Sequence, residues 1–289
     1  MENGCAARDE ISLTRELRES SDVEDIEING TSSNKVSVRI YRQRKDAATG
    51  SNVKPAAVFF HGGGWVLGSI QTDDLFCRKI VHDLGHVVVS VEYRRAPEHP
   101  MPAAIDDCFS AVLWTAGNAS KLSIDPGKIY VTGNSAGGQL AAAVALKAVQ
   151  AGKASLLAGQ VLRIPLTCHP DEYPGTLPDR EKVPVYNDSA VVEMLSAYRA
   201  SPLVSPLLAD PADISKLPPA YIDVCSEDPL APGGIAYARL LEDNGVPVRL
   251  FILEGMPHGS FILFPDLESS KVAHAACMRG TQWVLSHKQ

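Results

Sequence analysis

The segment Gly133-Asn134-Ser135-Ala136-Gly137 constrains this chain more than any other stretch. It lies between the apolar run Ile129–Thr132, which reads as a short strand, and the alanine-rich run Ala136–Gln150, which reads as a helix. A G-x-S-x-G pattern gains meaning in that setting, because the serine then stands on a sharp strand-to-helix turn. The backbone of such a turn is strained, and a side chain two residues to either side would clash, so glycine is needed there. The turn presents the Ser135 hydroxyl at a helix N-terminus, whose dipole favours developing negative charge. An ordinary serine in a glycine-rich turn is the bland reading, and the flanking elements weigh against it.

The rest of the chain supplies the sheet that such a turn requires. Ala56–Phe60 is a continuous apolar run ending at glycines, the pattern of a parallel strand buried on both faces. Further strands are expected at Val23–Asn29, Lys35–Arg42, His86–Tyr93, Gln160–Ile164, Ala220–Cys225 and Val248–Leu253. Helices are expected at Asp73–Leu84, Pro102–Ala116, Gly234–Asn244 and Ser269–His287. Strand and helix in alternation mean an α/β protein with a mostly parallel sheet. Thr167–Ser205 breaks the rhythm, with prolines at 170, 174, 178, 184 and 202 and no strand. A long irregular stretch inside a compact domain is usually functional. It reads as an insertion over the C-terminal edge of the sheet, carrying a short helix at Asp188–Tyr198.

Composition limits the function. The 27 basic and 34 acidic residues give a net charge of −7, which argues against a nucleic-acid partner. Cys5, Cys77, Cys108, Cys168, Cys225 and Cys277 are scattered without C-x-x-C spacing, so neither a zinc site nor a thioredoxin-like motif is present. Reduced thiols, an N-terminus without a basic-then-apolar leader, and no apolar run of membrane-spanning length point to a cytoplasmic protein. At 289 residues the length allows one or two domains.

Two more segments carry chemistry. His61-Gly62-Gly63-Gly64-Trp65 follows the buried Ala56–Phe60 run. Its glycines let backbone N–H groups approach a substrate oxygen, and it lacks both the G-K-[ST] ending and the G-x-G-x-x-G spacing of phosphate loops. His61 reads as a structural residue holding that loop. An acid and a base should follow Ser135 in the order Asp/Glu, then His. The strand Ala220–Cys225 ends in Ser226-Glu227-Asp228-Pro229-Leu230, and Val248–Leu253 is followed by Pro257-His258-Gly259. His258 reads as the base and Asp228 as its partner, with Glu227 as the second choice of acid.

HGGGW, Tyr93-Arg94-Arg95-Ala96-Pro97-Glu98-His99-Pro100-Met101-Pro102, GNSAGG, DPL and PHGS occur in this order across residues 35–289 and resemble the hormone-sensitive-lipase-like branch of the α/β-hydrolases. The resemblance implies a single α/β-hydrolase domain over 1–289 with a mostly parallel eight-stranded sheet. A discontinuous cap would come from about 1–50 and 167–204. It implies a Ser135–Asp228–His258 triad, oxyanion donors from the backbones of Gly63, Gly64 and Ala136, and no metal or cofactor. Substrate contacts are expected from Trp65 and Asn134, with Val66, Leu67 and the insertion residues Tyr173, Tyr186, Val191 and Leu195 lining the cleft. The implied activity is that of a serine carboxylesterase acting on small or medium esters through an acyl-enzyme. A lyase or dehydratase, a cyclase or an acyltransferase of the same fold is the alternative. A non-catalytic small-molecule receptor fits less well, because relatives of that kind lose the histidine kept here as His258. Pairing into a homodimer through an edge strand or the cap stays open. Three departures stand out: Asn134 where the family usually has Asp or Thr, Ala231-Pro232-Gly233-Gly234 after DPL instead of Arg-Asp-Glu, and an HGGG early enough to shorten the N-terminal cap.

Overall fold

The computed structural model describes residues 15–31, 34–44, 53–169, 172–174 and 203–287. Eight strands form one sheet: β1 (Ser21–Asn29), β2 (Lys35–Gln43), β3 (Lys54–Phe60), β4 (Val87–Glu92), β5 (Ile124–Asn134), β6 (Gly159–Arg163), β7 (Ala220–Cys225) and β8 (Val248–Leu253). Their spatial order is β1-β2-β4-β3-β5-β6-β7-β8. The pairings of β2 with β1 and β4 are antiparallel, and all the others are parallel.

The strands of the middle are apolar throughout because both of their faces are covered. Along β3, Ala56, Val58 and Phe60 pack into one core layer while Ala57 and Phe59 pack into the opposite one. The first layer is closed by α2 (Ala103–Gly117), α3 (Ala136–Gln150) and α4 (Ala231–Asp243), and the second by α1 (Asp74–Leu84) and α5 (Glu268–Ser286). The outer hairpin follows different rules. It carries Arg39–Asp25 (2.6 Å) on one face and Arg42–Glu24 (3.2 Å) and Arg44–Asp22 (3.0 Å) on the other. Charges of this kind blunt an edge that would otherwise recruit another strand.

Ser21–Asn29 and Lys35–Gln43 are therefore two strands of the main sheet, which corrects their expected place in the cap. Their alternation already pointed to strands, and the backbone hydrogen bonds offered by β4 draw them into the main sheet. β5 also begins five residues earlier than the apolar run, because Lys54 pairs with Ile124 across an irregular register. The expected helix at 188–198, like Tyr186, Val191 and Leu195, lies outside the described residues. The two ends of the insertion meet, since Leu207 N–H donates to Thr167 O (2.9 Å) and His169 N–H donates to Ser205 Oγ (3.0 Å). The intervening chain thus leaves and returns at one place beside α3, where Gln139 Nε2 donates to Leu203 O (2.7 Å). Among the described residues no helix is long and apolar enough to cross a membrane.

Candidate active site

The C-terminal ends of β3, β5, β7 and β8 converge on Ser135. The turn carrying it has φ 56° and ψ −114°, well away from any ordinary region for a side-chain-bearing residue. Ser135 N–H donates to Arg163 O (2.8 Å) on the neighbouring strand, which holds the strained turn in place. A Cβ on Gly133 or Gly137 would collide with the Phe60 carbonyl of β3, so both flanking glycines are dictated by close approach.

His258 bridges the serine and the acid. Its Nε2 lies 2.9 Å from Ser135 Oγ, and its Nδ1 lies 2.5 Å from Asp228 Oδ2. Asp228 is 2% exposed, and its other oxygen accepts from Leu230 N–H (2.8 Å). Three bonds stitch the loops after β7 and β8 together: Ser226 N–H to Leu253 O (3.0 Å), Glu227 N–H to Met256 O (3.1 Å) and Gly255 N–H to Ser226 Oγ (2.8 Å). They fix the acid loop against the histidine loop before any substrate arrives. Glu227 is exposed and accepts from Ser226 Oγ (3.1 Å), so it has no part in this relay.

The glycine loop lies across the turn. Gly63 (φ 118°) and Gly64 (φ 59°) adopt left-handed backbone, and a Cβ on Gly63 would strike the Leu67 carbonyl. Among the described residues no acceptor engages the Gly63 or Gly64 N–H groups. His61 stacks on Tyr93 at 4.1 Å, and the Tyr93 hydroxyl donates to His61 O (2.8 Å). Burial lowers the pKa of His61, which keeps its ring neutral. The Tyr93–Pro102 stretch is a prop for this loop. Arg94 binds Asp107 through Nε (2.8 Å) and Nη2 (2.9 Å), Arg95 donates to Gly68 O, and Ala96 N–H donates to Trp65 O (3.0 Å).

Trp65 is a correction. Expected on the cleft wall, it is 2% exposed in the core, and its indole N–H donates to Gln139 Oε1 (3.1 Å) on α3. A positive φ of 64° turns the side chain down beneath the loop. Leu67, by contrast, is 69% exposed. Asn134 faces away from the serine, and its Nδ2 donates to Asp73 Oδ1 (2.9 Å).

Asp73 escaped the sequence reading. Its other oxygen accepts from Gly62 N–H (3.3 Å), so one buried carboxyl ties the glycine loop to the serine turn. Burial raises its pKa, opposed by the bonds from Gly62 and Asn134 and by the charge of Arg163. The Asn134→Asp variant would set a second carboxyl against the first. The folded state must then retain a proton that the unfolded chain releases near its ordinary carboxylate pKa. A folded pKa above the unfolded one gives stability that is present at low pH and lost as pH rises. Thermal unfolding should show Asn134→Asp close to wild type near pH 3.5, below the unfolded carboxylate pKa, and weaker by about 1–3 kcal/mol at pH 8. Equal deficits at both values would contradict the carboxyl contact.

Sheet, turn and hydrogen-bond relay together define an α/β hydrolase. The α/β-hydrolase-fold family model matches residues 57–262. The chain belongs to this family, in its hormone-sensitive-lipase-like branch. It is 38% identical over 212 residues to the carboxylesterase NlhH of Mycobacterium tuberculosis, covering 71% of this chain and 66% of the relative. It is 36% identical over 210 residues to the esterase LipI of the same organism, covering 71% of this chain and 65% of that one. The chain thus spans just under two thirds of the length of these curated relatives. Among solved structures it resembles a hyperthermophilic esterase of the archaeon Pyrobaculum calidifontis, with a TM-score of 0.78 and 36% identity over 92% of this chain and 83% of that one.

Proposed function

We propose that the protein is a serine carboxylesterase with Ser135 as nucleophile, His258 as base and Asp228 as the group that orients the histidine. The observation that carries this reading is the contact of His258 Nε2 with Ser135 Oγ (2.9 Å), backed by Asp228 (2.5 Å). His258 takes the hydroxyl proton as Ser135 Oγ attacks the ester carbonyl. The carbonyl oxygen becomes an oxyanion that accepts from the N–H groups of Gly63, Gly64 and Ala136. The ester C–O bond then breaks, and the alcohol leaves with the proton from His258. Water, deprotonated by His258, attacks the acyl-enzyme, and the acid is released with Ser135 restored. Every group these steps need is supplied by the chain's own side chains and backbone. Exposed Leu67 and half-buried Val66, beside the glycine loop, support an open cleft for small or medium acyl groups.

Hydrolysis of p-nitrophenyl acetate, butyrate and octanoate tests the reading. Turnover is expected with acetate and butyrate ahead of octanoate. No release from any of the three would overturn the esterase assignment.

A further inference from the structure

Three consecutive residues of the glycine loop have left-handed backbone: Gly63 (φ 118°), Gly64 (φ 59°) and Trp65 (φ 64°). Glycine adopts this region freely, whereas a residue with a side chain loses about 1–2 kcal/mol there. Such strain persists only where the surroundings hold it. Trp65 is the strained residue of the three and follows Gly64 directly. Whatever holds Trp65 therefore also sets where the Gly63 and Gly64 N–H groups point.

The hold on its side chain comes from α3. The indole N–H donates to Gln139 Oε1 (3.1 Å), while the Trp65 carbonyl accepts from Ala96 N–H (3.0 Å). Gln139 is 0% exposed, and both polar atoms of its side chain are engaged. Its Nε2 donates to Leu203 O (2.7 Å) and Val204 O (3.3 Å), where the chain returns from the insertion. A carboxamide is not symmetric. Turned end for end, it would set its N–H groups against the indole N–H and its oxygen against two carbonyls, so the three partners fix its orientation. The backbone N–H of Gln139 donates to Ser135 O (3.0 Å), which places it one turn along α3 from the nucleophile. One buried side chain thus joins the serine-bearing helix, the glycine loop and the root of the insertion. Asp73 grips the same loop at its other end, through Gly62 N–H (3.3 Å), so the two grips bracket Gly63 and Gly64.

We propose that Gln139 is a positioning residue for the reaction. By gripping the Trp65 indole, it holds the strained bend that aims the Gly63 and Gly64 N–H groups at the developing oxyanion, with the root of the insertion as its anchor. The inference rests on the esterase reading, and the effect passes through Trp65. In Gln139→Met the indole N–H loses its acceptor in a buried place, where an unpaired donor is costly. The bend then relaxes and the loop donors are misaimed. Those donors meet a charge that exists only as the carbonyl is attacked, so the loss falls on the chemical step and not on ground-state binding.

The test pairs kcat for p-nitrophenyl acetate with inhibition by trifluoroacetophenone and acetophenone. Ser135 Oγ adds to the trifluoro ketone carbonyl, its proton passes to His258, and the carbonyl oxygen becomes an oxyanion at the loop. Acetophenone occupies the cleft without that addition. Gln139→Met and Trp65→Phe should each lower kcat about tenfold and weaken trifluoroacetophenone by the same factor, less than the roughly 10²–10³ of deleting an oxyanion donor. Acetophenone inhibition should change less than about twofold. Both variants cut one bond, so the double variant should match the worse single, whereas independent effects would multiply to about a hundredfold. An inhibition constant does not depend on the folded fraction, so lost stability alone leaves both ketones unmoved. Unfolding midpoints establish folding, and Trp65→Phe, which keeps a ring in the core, carries the test if Gln139→Met does not fold. Wild-type kcat in the folded variants, equal weakening of both ketones, or multiplied losses in the double variant would overturn the proposal and leave an active wild type its esterase reading. A wild type that neither cleaves the ester nor binds trifluoroacetophenone would overturn the esterase reading, and this inference with it.

Discussion

Ser135→Ala should lower kcat for p-nitrophenyl acetate on the order of 10⁶-fold while the protein stays folded. The variant removes one oxygen atom. It leaves Ser135 N–H, which donates to Arg163 O (2.8 Å), free to keep the turn in place. The strained φ of 56° is set by backbone contacts around the turn and not by the hydroxyl. Alanine can therefore occupy the position, and circular dichroism and the unfolding midpoint should be close to wild type. A residual rate above that of free solution is expected from the N–H groups of Gly63, Gly64 and Ala136, which would still meet a developing oxyanion. Wild-type turnover in folded Ser135→Ala would place the nucleophile elsewhere.

Asp228→Asn should lower kcat on the order of 10⁴-fold, because an amide cannot satisfy both of its neighbours. Asp228 accepts at both oxygens, from His258 Nδ1 (2.5 Å) and from Leu230 N–H (2.8 Å). If the amide N–H₂ faces His258, then Nδ1 becomes the acceptor and the ring proton moves to Nε2. That nitrogen then cannot take the Ser135 proton. If the amide oxygen faces His258 instead, two donors meet at Leu230. The buried site offers no water to relieve either mismatch, since Asp228 is 2% exposed. Glu227→Gln, one residue away on the exposed side of the loop, should change kcat less than about twofold. Steady-state kinetics of the two variants side by side distinguish the acids, and a large loss in Glu227→Gln alone would reverse the assignment.

The residues of the relay were legible because each sits next to punctuation. Ser135 lies between glycines at a strand end, Asp228 before Pro229, and His258 after Pro257. The alternating and continuous apolar runs similarly announced the strands, so their order along the chain could be read directly. What escaped was carried by contacts distant in sequence. Asp73 stands just before an apolar helical run, where an aspartate reads as an ordinary helix cap. In the fold it makes no cap bond and instead reaches Asn134 (2.9 Å), 61 residues away. Arg163 was the one charge in the strand Gln160–Ile164. That signal could have flagged a buried ion pair, though not its partner Asp223. Trp65 misled because an aromatic beside a glycine loop looks like a cleft wall, whereas one left-handed backbone angle turns it into the core. The outer hairpin was recognised as two strands yet assigned to the cap, because its pairing with β4 depends on register across 47 to 55 residues.

The central claim is that the Ser135 hydroxyl, paired with His258, is the group that becomes acylated. Intact mass followed by peptide mapping after exposure to a p-nitrophenyl alkylphosphonate tests it most directly. The account predicts a single phosphonyl adduct on the peptide carrying Ser135, with loss of activity in step with labelling. An unlabelled protein, or an adduct on any other residue accompanied by full loss of activity, would contradict it.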